Sequence, residues 1–341
     1  YMDTFFDQLK ETDVKQVKFL DRTFNVEPKR ALRLGYQCLS MPESMHFHVE
    51  LVGDTLHEDL IHFFQNDALE RFRMEIGVQS FQDKTLKAVG RTCNLDKLSQ
   101  VIEGFAQKKA HQHTDLIAGL PFETLDLFKI SYQKLIYLKP FEIQVGILKL
   151  LHGTSLFQLK DVYGYEADLI APYQITKTKW MSFEEIKQVE YCALATEKCY
   201  NSQRLKSELD ALFQDESIVA FDLMAECGYA IAQLNHPYQV KDFYQALYPV
   251  LSKYTDRAQF LIERAYYRQA KVKPSLIYPI EQFDLNFYRK ALLKITEQAN
   301  KAVFLMDDYV YAILYQNQKQ IWYTLNREGT CIDETVISYT K

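Results

Sequence analysis

The sequence predicts an α/β protein, a parallel α/β barrel or partial barrel with a polar interior, followed by a mostly helical second part. Three observations carry this. Residues 72–80 alternate, with Phe72, Met74, Ile76 and Val78 on one face and Arg73, Glu75, Gly77 and Gln79 on the other, as a strand requires. The same parity returns in 45–52, where Met45, Phe47, Val49 and Leu51 oppose His46, His48 and Glu50, and in 141–150, where Phe141, Ile143 and Val145 oppose Glu142, Gln144 and Gly146. Helical patterns separate these strands, so they must run parallel, and parallel sheets carry their helices outside. A polar parity repeated from strand to strand then faces a shared interior.

Taken in order, residues 2–13 form an amphipathic helix with Phe5, Phe6 and Leu9 on one side. Gln16 to Asp21 reads as a strand, and Pro28 opens a helix that runs to about Cys38. After the strand 45–52, Thr55 is placed to cap a helix over 56–65. A short helix from Asp83 to Val89 stops at Gly90, and another runs from Asn94 to Ala110. His113 to Ala118 is a strand carrying the lone carboxylate Asp115, with Gly119-Leu120-Pro121 as its sharp exit. Thr124 to Leu138 is a helix halted by Pro140. Residues 157–181 are irregular, around Tyr163-Gly164-Tyr165, and Ser182 with Glu185 makes a capping box for a helix over 183–200. Further helices are predicted at 203–214, 217–232, 239–253, 256–270 and 283–299, with a closing hairpin of Tyr311–Tyr315 and Gln320–Leu325. The predicted domains are 1–156, the barrel, and 157–341, the helical part.

Composition sets outer bounds. With 48% apolar and 25% charged residues, the chain has the make-up of a soluble globular protein. No apolar run is long enough to span a bilayer and no signal peptide precedes the first strand, so a cytoplasmic location without membrane association is expected. The net charge of −5 and the lack of a basic block argue against a nucleic-acid surface. The six cysteines match no metal-ligand spacing and read as reduced thiols. The chain begins at Tyr1 inside a helical pattern, from which we expect the natural protein to extend upstream.

In α/β barrels, function sits at the carboxyl ends of the strands. The polar residues that fall there are Asp21, Glu50, Gln79, Asp115 and, one short helix later, Arg91. Carboxylates can accept from an ammonium or a diol, and a guanidinium can grip a carboxylate with two bonds. The set therefore suits a ligand with an amino-acid end and hydroxyls. Each residue alone has a plainer reading: a strand-end carboxylate can cap the next helix, and Arg91 can satisfy a helix C-terminus. His46/His48 and His111/His113 form two His-x-His pairs, which fit a lumen lining with hydrogen-bond partners better than a metal site lacking a third ligand.

These residues also carry a resemblance. Glu-Ile-Gly-Val-Gln-Ser-Phe at 75–81, Leu86, Val89-Gly90-Arg91 and the run Asp115 to Pro121 resemble radical S-adenosylmethionine (SAM) enzymes. The nearest branch carries an N-terminal cobalamin-binding domain and is related to oxygen-independent coproporphyrinogen oxidases and methylthiotransferases. Phe19 to Asn25, Gln144 to Lys149 and Gly153-Thr154 resemble its subfamily with a helical C-terminal domain of unknown function, often labelled magnesium-protoporphyrin IX monomethyl ester cyclase-like. The match covers residues 14–156 and, more loosely, the helical part.

The resemblance implies a (β/α)6 partial barrel of which the first strand is missing here. It implies a 4Fe–4S cluster, SAM and, in the full-length protein, cobalamin, with the cluster's Cys-x3-Cys-x2-Cys loop upstream of Tyr1. It places Glu50 on the methionyl ammonium, Arg91 on its carboxylate, and Gln79 and Asp115 at the ribose. Asp21-Arg22-Thr23-Phe24-Asn25 stands in place of the glycine-rich motif usual after the second strand, and His152 stands where relatives often carry Pro. The function implied is that of a SAM- and iron–sulfur-dependent oxidoreductase or methyl-transfer enzyme acting on a small molecule by methyl transfer or oxidative cyclisation, with this portion inactive alone. The alternative is a non-catalytic barrel scaffold or protein-binding module.

Overall fold

The structure, a computed structural model, describes residues 2–269, residue 277 and the strand segments 301–306, 309–316, 319–325 and 331–338. Its contacts divide the chain into two compact units, Tyr1–Tyr229 and Ala230–Lys341.

The first unit is built on five parallel strands, β1 (Gln16–Lys18), β2 (His46–Leu51), β3 (Phe72–Gln79), β4 (Gln112–Ala118) and β5 (Glu142–Ile147), hydrogen-bonded in chain order. The helices between them are α2 (Pro28–Leu39), α3 (Glu58–His62), α4 (Asp83–Ala88), α5 (Leu95–Gln107) and α6 (Leu125–Tyr137), after an N-terminal α1 (Met2–Lys10). Right-handed crossovers that always step the same way along a sheet fall on one side of it. The apolar parity meets them there: Phe47, Val49, Phe72, Met74, Ile76, Val78 and Leu116 are all buried. Phe72 packs on Phe63, Phe64 and Phe47 at ring separations of 5.4–5.7 Å, and Phe64 on Phe105 of α5 at 6.4 Å. Each such side chain contributes roughly 1.5–3 kcal/mol of burial. The polar parity stays half-exposed, as the alternating burial of β2, β3 and β4 records.

Local chemistry sets the helix ends. Pro28 occupies the first turn of α2; Asn94 caps α5 by accepting from the Lys97 N–H at 3.0 Å, and Thr124 caps α6. The expected cap at Thr55 is different in the structure. Residues Gly53–Thr55 form a 3-10 turn, Leu56 is extended, and α3 begins with His57 as its cap, accepting from the Asp59 N–H at 3.3 Å. The Thr55 hydroxyl is already used on the Val52 carbonyl at 3.1 Å. Helix α3 continues as a π-helical segment, Phe63–Asp67, that brings Phe63 and Phe64 onto Phe72.

The domain limit was expected after residue 156, whereas the contacts keep 157–229 with the sheet. The reason lies at β5. Helix α7 (Ser155–Gln158) and a two-stranded ribbon, β6 (Glu166–Ala167) with β7 (Ile175–Lys177), lead to α8 (Phe183–Ala195) and a π-helical segment, Thr196–Asn201. The Asn201 amide accepts from the Ile143 N–H at 2.9 Å and donates to the Ile143 carbonyl at 2.8 Å, so a side chain pairs the free edge of β5. Tyr132 of α6 shares a 2.8 Å hydrogen bond with Thr196. Helix α9 (Lys206–Leu212) and α10 (Ala220–Ala232) follow, and Lys129 of α6 pairs with Asp222 at 2.7 Å.

In the second unit, α11 (Val240–Leu251) packs on α12 (Ala258–Gln269) through Tyr244 and Tyr266, 5.5 Å apart. The predicted hairpin is one pair within a four-stranded antiparallel sheet: β8 (Lys301–Met306), β9 (Tyr309–Gln316), β10 (Lys319–Leu325) and β11 (Cys331–Ser338), in the order β11-β10-β9-β8. This part of the chain is therefore less purely helical than its pattern suggested. The predicted helix over 283–299 lies outside the described residues.

Candidate functional site

Strand register aligns the polar parity into rungs. Glu50 lies opposite Glu75, Glu75 opposite His113, and His113 opposite Glu142. One rung nearer the carboxyl ends, Gly77 lies opposite Asp115 and Asp115 opposite Gln144. Four strands thus present carboxylates, imidazoles and amides on one open face.

Arg91 reaches this face because of how α4 ends. Gly90 adopts φ +74°, its N–H bonds the Lys87 carbonyl at 3.1 Å, and the Arg91 N–H bonds the Leu86 carbonyl at 2.9 Å. This is a Schellman termination, which needs a left-handed residue and so favours glycine. It turns the chain back so that the Arg91 guanidinium donates to the Gly77 carbonyl. Asp115 Oδ1 accepts from the Val78 N–H at 2.8 Å. The β3–β4 ladder is irregular between Gly77 and Gln79, and Gln79 has φ +67°. Arg91 and Asp115 therefore hydrogen-bond to backbone groups of β3 at this irregularity and meet over Gly77, where a Cβ would lie 3.3 Å from one and 3.6 Å from the other. Burial pushes the Asp115 carboxyl up, opposed by the Val78 N–H and Arg91.

Glu50 stands two strands away, beside Lys18 at 3.9 Å; Lys18 also lies 3.7 Å from Glu75, which His48 bonds at 3.0 Å. Gln79 ends β3 half-buried. Asp21 is not drawn in: β1 stops at Lys18, Asp21 lies exposed in the loop beyond, and no hydrogen bond or ion pair joins it to the others among the described residues. The structure thus brings Arg91 and Asp115 together, sets Glu50 and Gln79 on the same strand ends, and leaves Asp21 outside.

His48 bonds the Glu75 carboxylate at 3.0 Å, whereas the buried Nδ1 of His111 has no hydrogen-bond partner. His46 bonds the Glu70 carbonyl at 3.0 Å, and His111 lies on the Phe141 ring at 4.1 Å with its pKa lowered by burial. No group of three or more His, Cys, Asp or Glu side chains that could hold a metal occurs among the described residues. Cys93, near Asp54 and Arg91, is pushed up to about 11, by burial first and then by the Asp54 carboxylate, so it stays a thiol.

Sequence reasoning missed a second set behind this rim. Glu123, Ser80 and Ser131 form a buried cluster in which the Ser80 hydroxyl donates to Glu123 Oε1 at 2.5 Å. The carboxylate sits just before the cap Thr124, so by pattern alone it reads as part of a helix start.

A family described as "Protein of unknown function (DUF4080)" matches residues 161–325. Among curated proteins, the chain is 24% identical over 110 residues to the probable threonylcarbamoyladenosine tRNA methylthiotransferase of Pyrococcus abyssi, a stretch covering 32% of this chain and 26% of that protein. It is 28% identical over 112 residues to the protein of the same name from Methanocaldococcus jannaschii, with the same coverage of 32% and 26%. The chain thus spans about a quarter of the length of these relatives. Among solved structures, the radical SAM methyltransferase TsrM from Kitasatospora setae, with cobalamin and a 4Fe–4S cluster bound, aligns at 13% identity and a TM-score of 0.41, over 50% of this chain and 34% of that one. Coproporphyrinogen III oxidase (HemN) from Escherichia coli, a radical SAM enzyme, aligns at 14% identity and a TM-score of 0.39, over 56% and 51%.

Proposed function

We propose that this chain supplies the SAM-facing part of a radical SAM enzyme, acting in the intact protein on a small-molecule substrate. One observation carries the reading: Arg91 and Asp115, far apart in sequence, meet over Gly77 within the motifs that resemble that family. Similarity over about 110 residues to proteins named as methylthiotransferases adds support.

The residues fit the cofactor's chemistry. A guanidinium carries five N–H donors, so Arg91 can hold a carboxylate while keeping its bond to Gly77. Asp115 spends one oxygen on Val78, and the other can accept from a ribose hydroxyl. Glu50, half-exposed beside Lys18, is the acceptor for an ammonium, and Gln79 supplies a neutral amide at the end of β3. In this reading the open polar face lines the chamber that orients SAM and limits water. An iron–sulfur cluster does not fit the described residues: Cys38, Cys192, Cys199 and Cys227 are buried and dispersed, and no three ligands converge. When bound to SAM, a reduced cluster supplies radical chemistry; this chain's own part is to bind and orient SAM.

Calorimetric titration of SAM into the intact protein tests the assignment. Saturable binding is expected, weakened roughly 10–100-fold by Arg91→Ala, the scale of one charged bidentate contact. Unchanged affinity in that variant would remove Arg91 from the site, and absence of binding in the wild type would end the SAM reading.

A further inference from the structure

A left-handed residue that is not glycine stands at each of the carboxyl ends of β3 and β4: Gln79, the last residue of β3, at φ +67°, and Phe122, in the loop after β4, at φ +66°. Such a residue is disfavoured by the close approach of its Cβ to its own backbone and persists only where its surroundings hold it. The residues that follow these two are Ser80 and Glu123, and they are bonded to each other at 2.5 Å. The connection extends further. Ser80 Oγ accepts from the Gln82 N–H at 3.0 Å, and Ser131 Oγ of α6 accepts from the Phe81 N–H at 3.2 Å. Glu123, Ser80 and Ser131 are all fully buried.

The carboxyl's second oxygen, Oε2, is enclosed without a hydrogen-bond partner. Among the described residues no cation pairs with it. On α4 and α6, Lys84 and Lys134 sit over the rings of Phe122 and Phe81 at 4.3 and 4.7 Å, Lys129 pairs with Asp222, and Asp83, Lys87 and Asp126 point to solvent. On β4, Asp115 is committed to Val78. A bare buried carboxylate costs far more than the unpaired hydroxyl of a neutral acid in the same place.

We propose that Glu123, as a neutral acid acting through Ser80, is the positioning residue that locks the turn presenting Gln79 to the ligand at the strand ends. The ligand half of this statement rests on the SAM reading above; the lock itself does not. The chemistry agrees with the geometry, since burial pushes the Glu123 carboxyl up to about 8 against the hydrogen bond from Ser80. On ionisation, the buried charge favours opening of the network toward water, which frees Ser80 and lets Gln79 relax from its left-handed conformation.

The test uses the intact protein, with Glu123→Gln as the neutral mimic and Glu123→Ala as the deletion. Two readouts are followed between about pH 6.5 and 9.5: affinity for S-adenosylhomocysteine, and amide exchange at residues 80–82 relative to Glu123→Gln at the same pH. Wild-type affinity should fall about tenfold with a midpoint near pH 8, exchange at 80–82 should accelerate over the same range, and Glu123→Gln should hold both flat. Glu123→Ala should bind about tenfold more weakly at every pH, a loss that the Gln variant does not share. A wild type whose exchange profile coincides with that of Glu123→Gln overturns the lock. Exchange that responds as expected, with no nucleoside bound by any variant, supports the lock and removes the SAM reading instead. Should the Ala variant fail to fold, the comparison of wild type with Glu123→Gln decides alone.

Discussion

Arg91 shows how a single side chain is aimed by chemistry several residues away. The left-handed Gly90 ends α4 and returns the chain so that the guanidinium meets the Gly77 carbonyl. Gly90 and Arg91 are both legible in the sequence, as a helix stop and a cation near a strand end; that they share one neighbour with Asp115 is not. Glu123 was illegible for a different reason, because nothing in the spacing of Gly119-Leu120-Pro121-Phe122-Glu123 says that its carboxyl turns inward. Its burial has a consequence for stability. The folded value, about 8, exceeds the ordinary 4.5, so the group's contribution is fully present below about pH 4.5 and is lost as pH rises through about 8. Glu123→Gln should therefore match the wild type at low pH and exceed it by roughly 1–3 kcal/mol near pH 9, read from urea midpoints across the pH range.

At the scale of elements, alternation predicted both faces of β2 and β3, because burial on one side of a strand imposes a period of two, whereas of the expected apolar face of β5 only Ile143 is buried and Phe141 and Val145 stay half-exposed. It could not predict the irregularity between Gly77 and Gln79, which depends on side chains from outside the strand to occupy backbone groups. Nor could it predict how β5 is finished. Asn201 lies 58 residues beyond Ile143 and bonds both its N–H and its carbonyl. Asn201→Ala should cost roughly 1–3 kcal/mol, since it strips two partly buried bonds from the backbone of a strand edge. A denaturation midpoint unchanged from wild type would show that water replaces the amide there without loss. The cap at Thr55 failed as a prediction because its hydroxyl had a nearer acceptor in Val52.

For the whole molecule, the unit Tyr1–Tyr229 implies a cooperative core larger than the repeating strand–helix pattern. A chain ending at residue 156 should lack a cooperative melt, because the β5 edge and the α6 surface would lose Asn201, Thr196 and Asp222. A chain ending at Asn235 should keep one, and circular dichroism melts of the two distinguish these outcomes. By itself the sequence determined the parallel α/β class, the order of strands and helices across the five-stranded sheet, and which face of β2 and β3 carries charge, because these follow from local periodicity and from the helical crossovers that parallel strands demand. Only the tertiary structure decided that Arg91 and Asp115 meet over Gly77, that Asp21 stays outside, that a buried acid ties two strand exits together and that residues past 156 complete the sheet. Those outcomes depend on register and on through-space hydrogen bonding between distant segments, which no periodicity encodes.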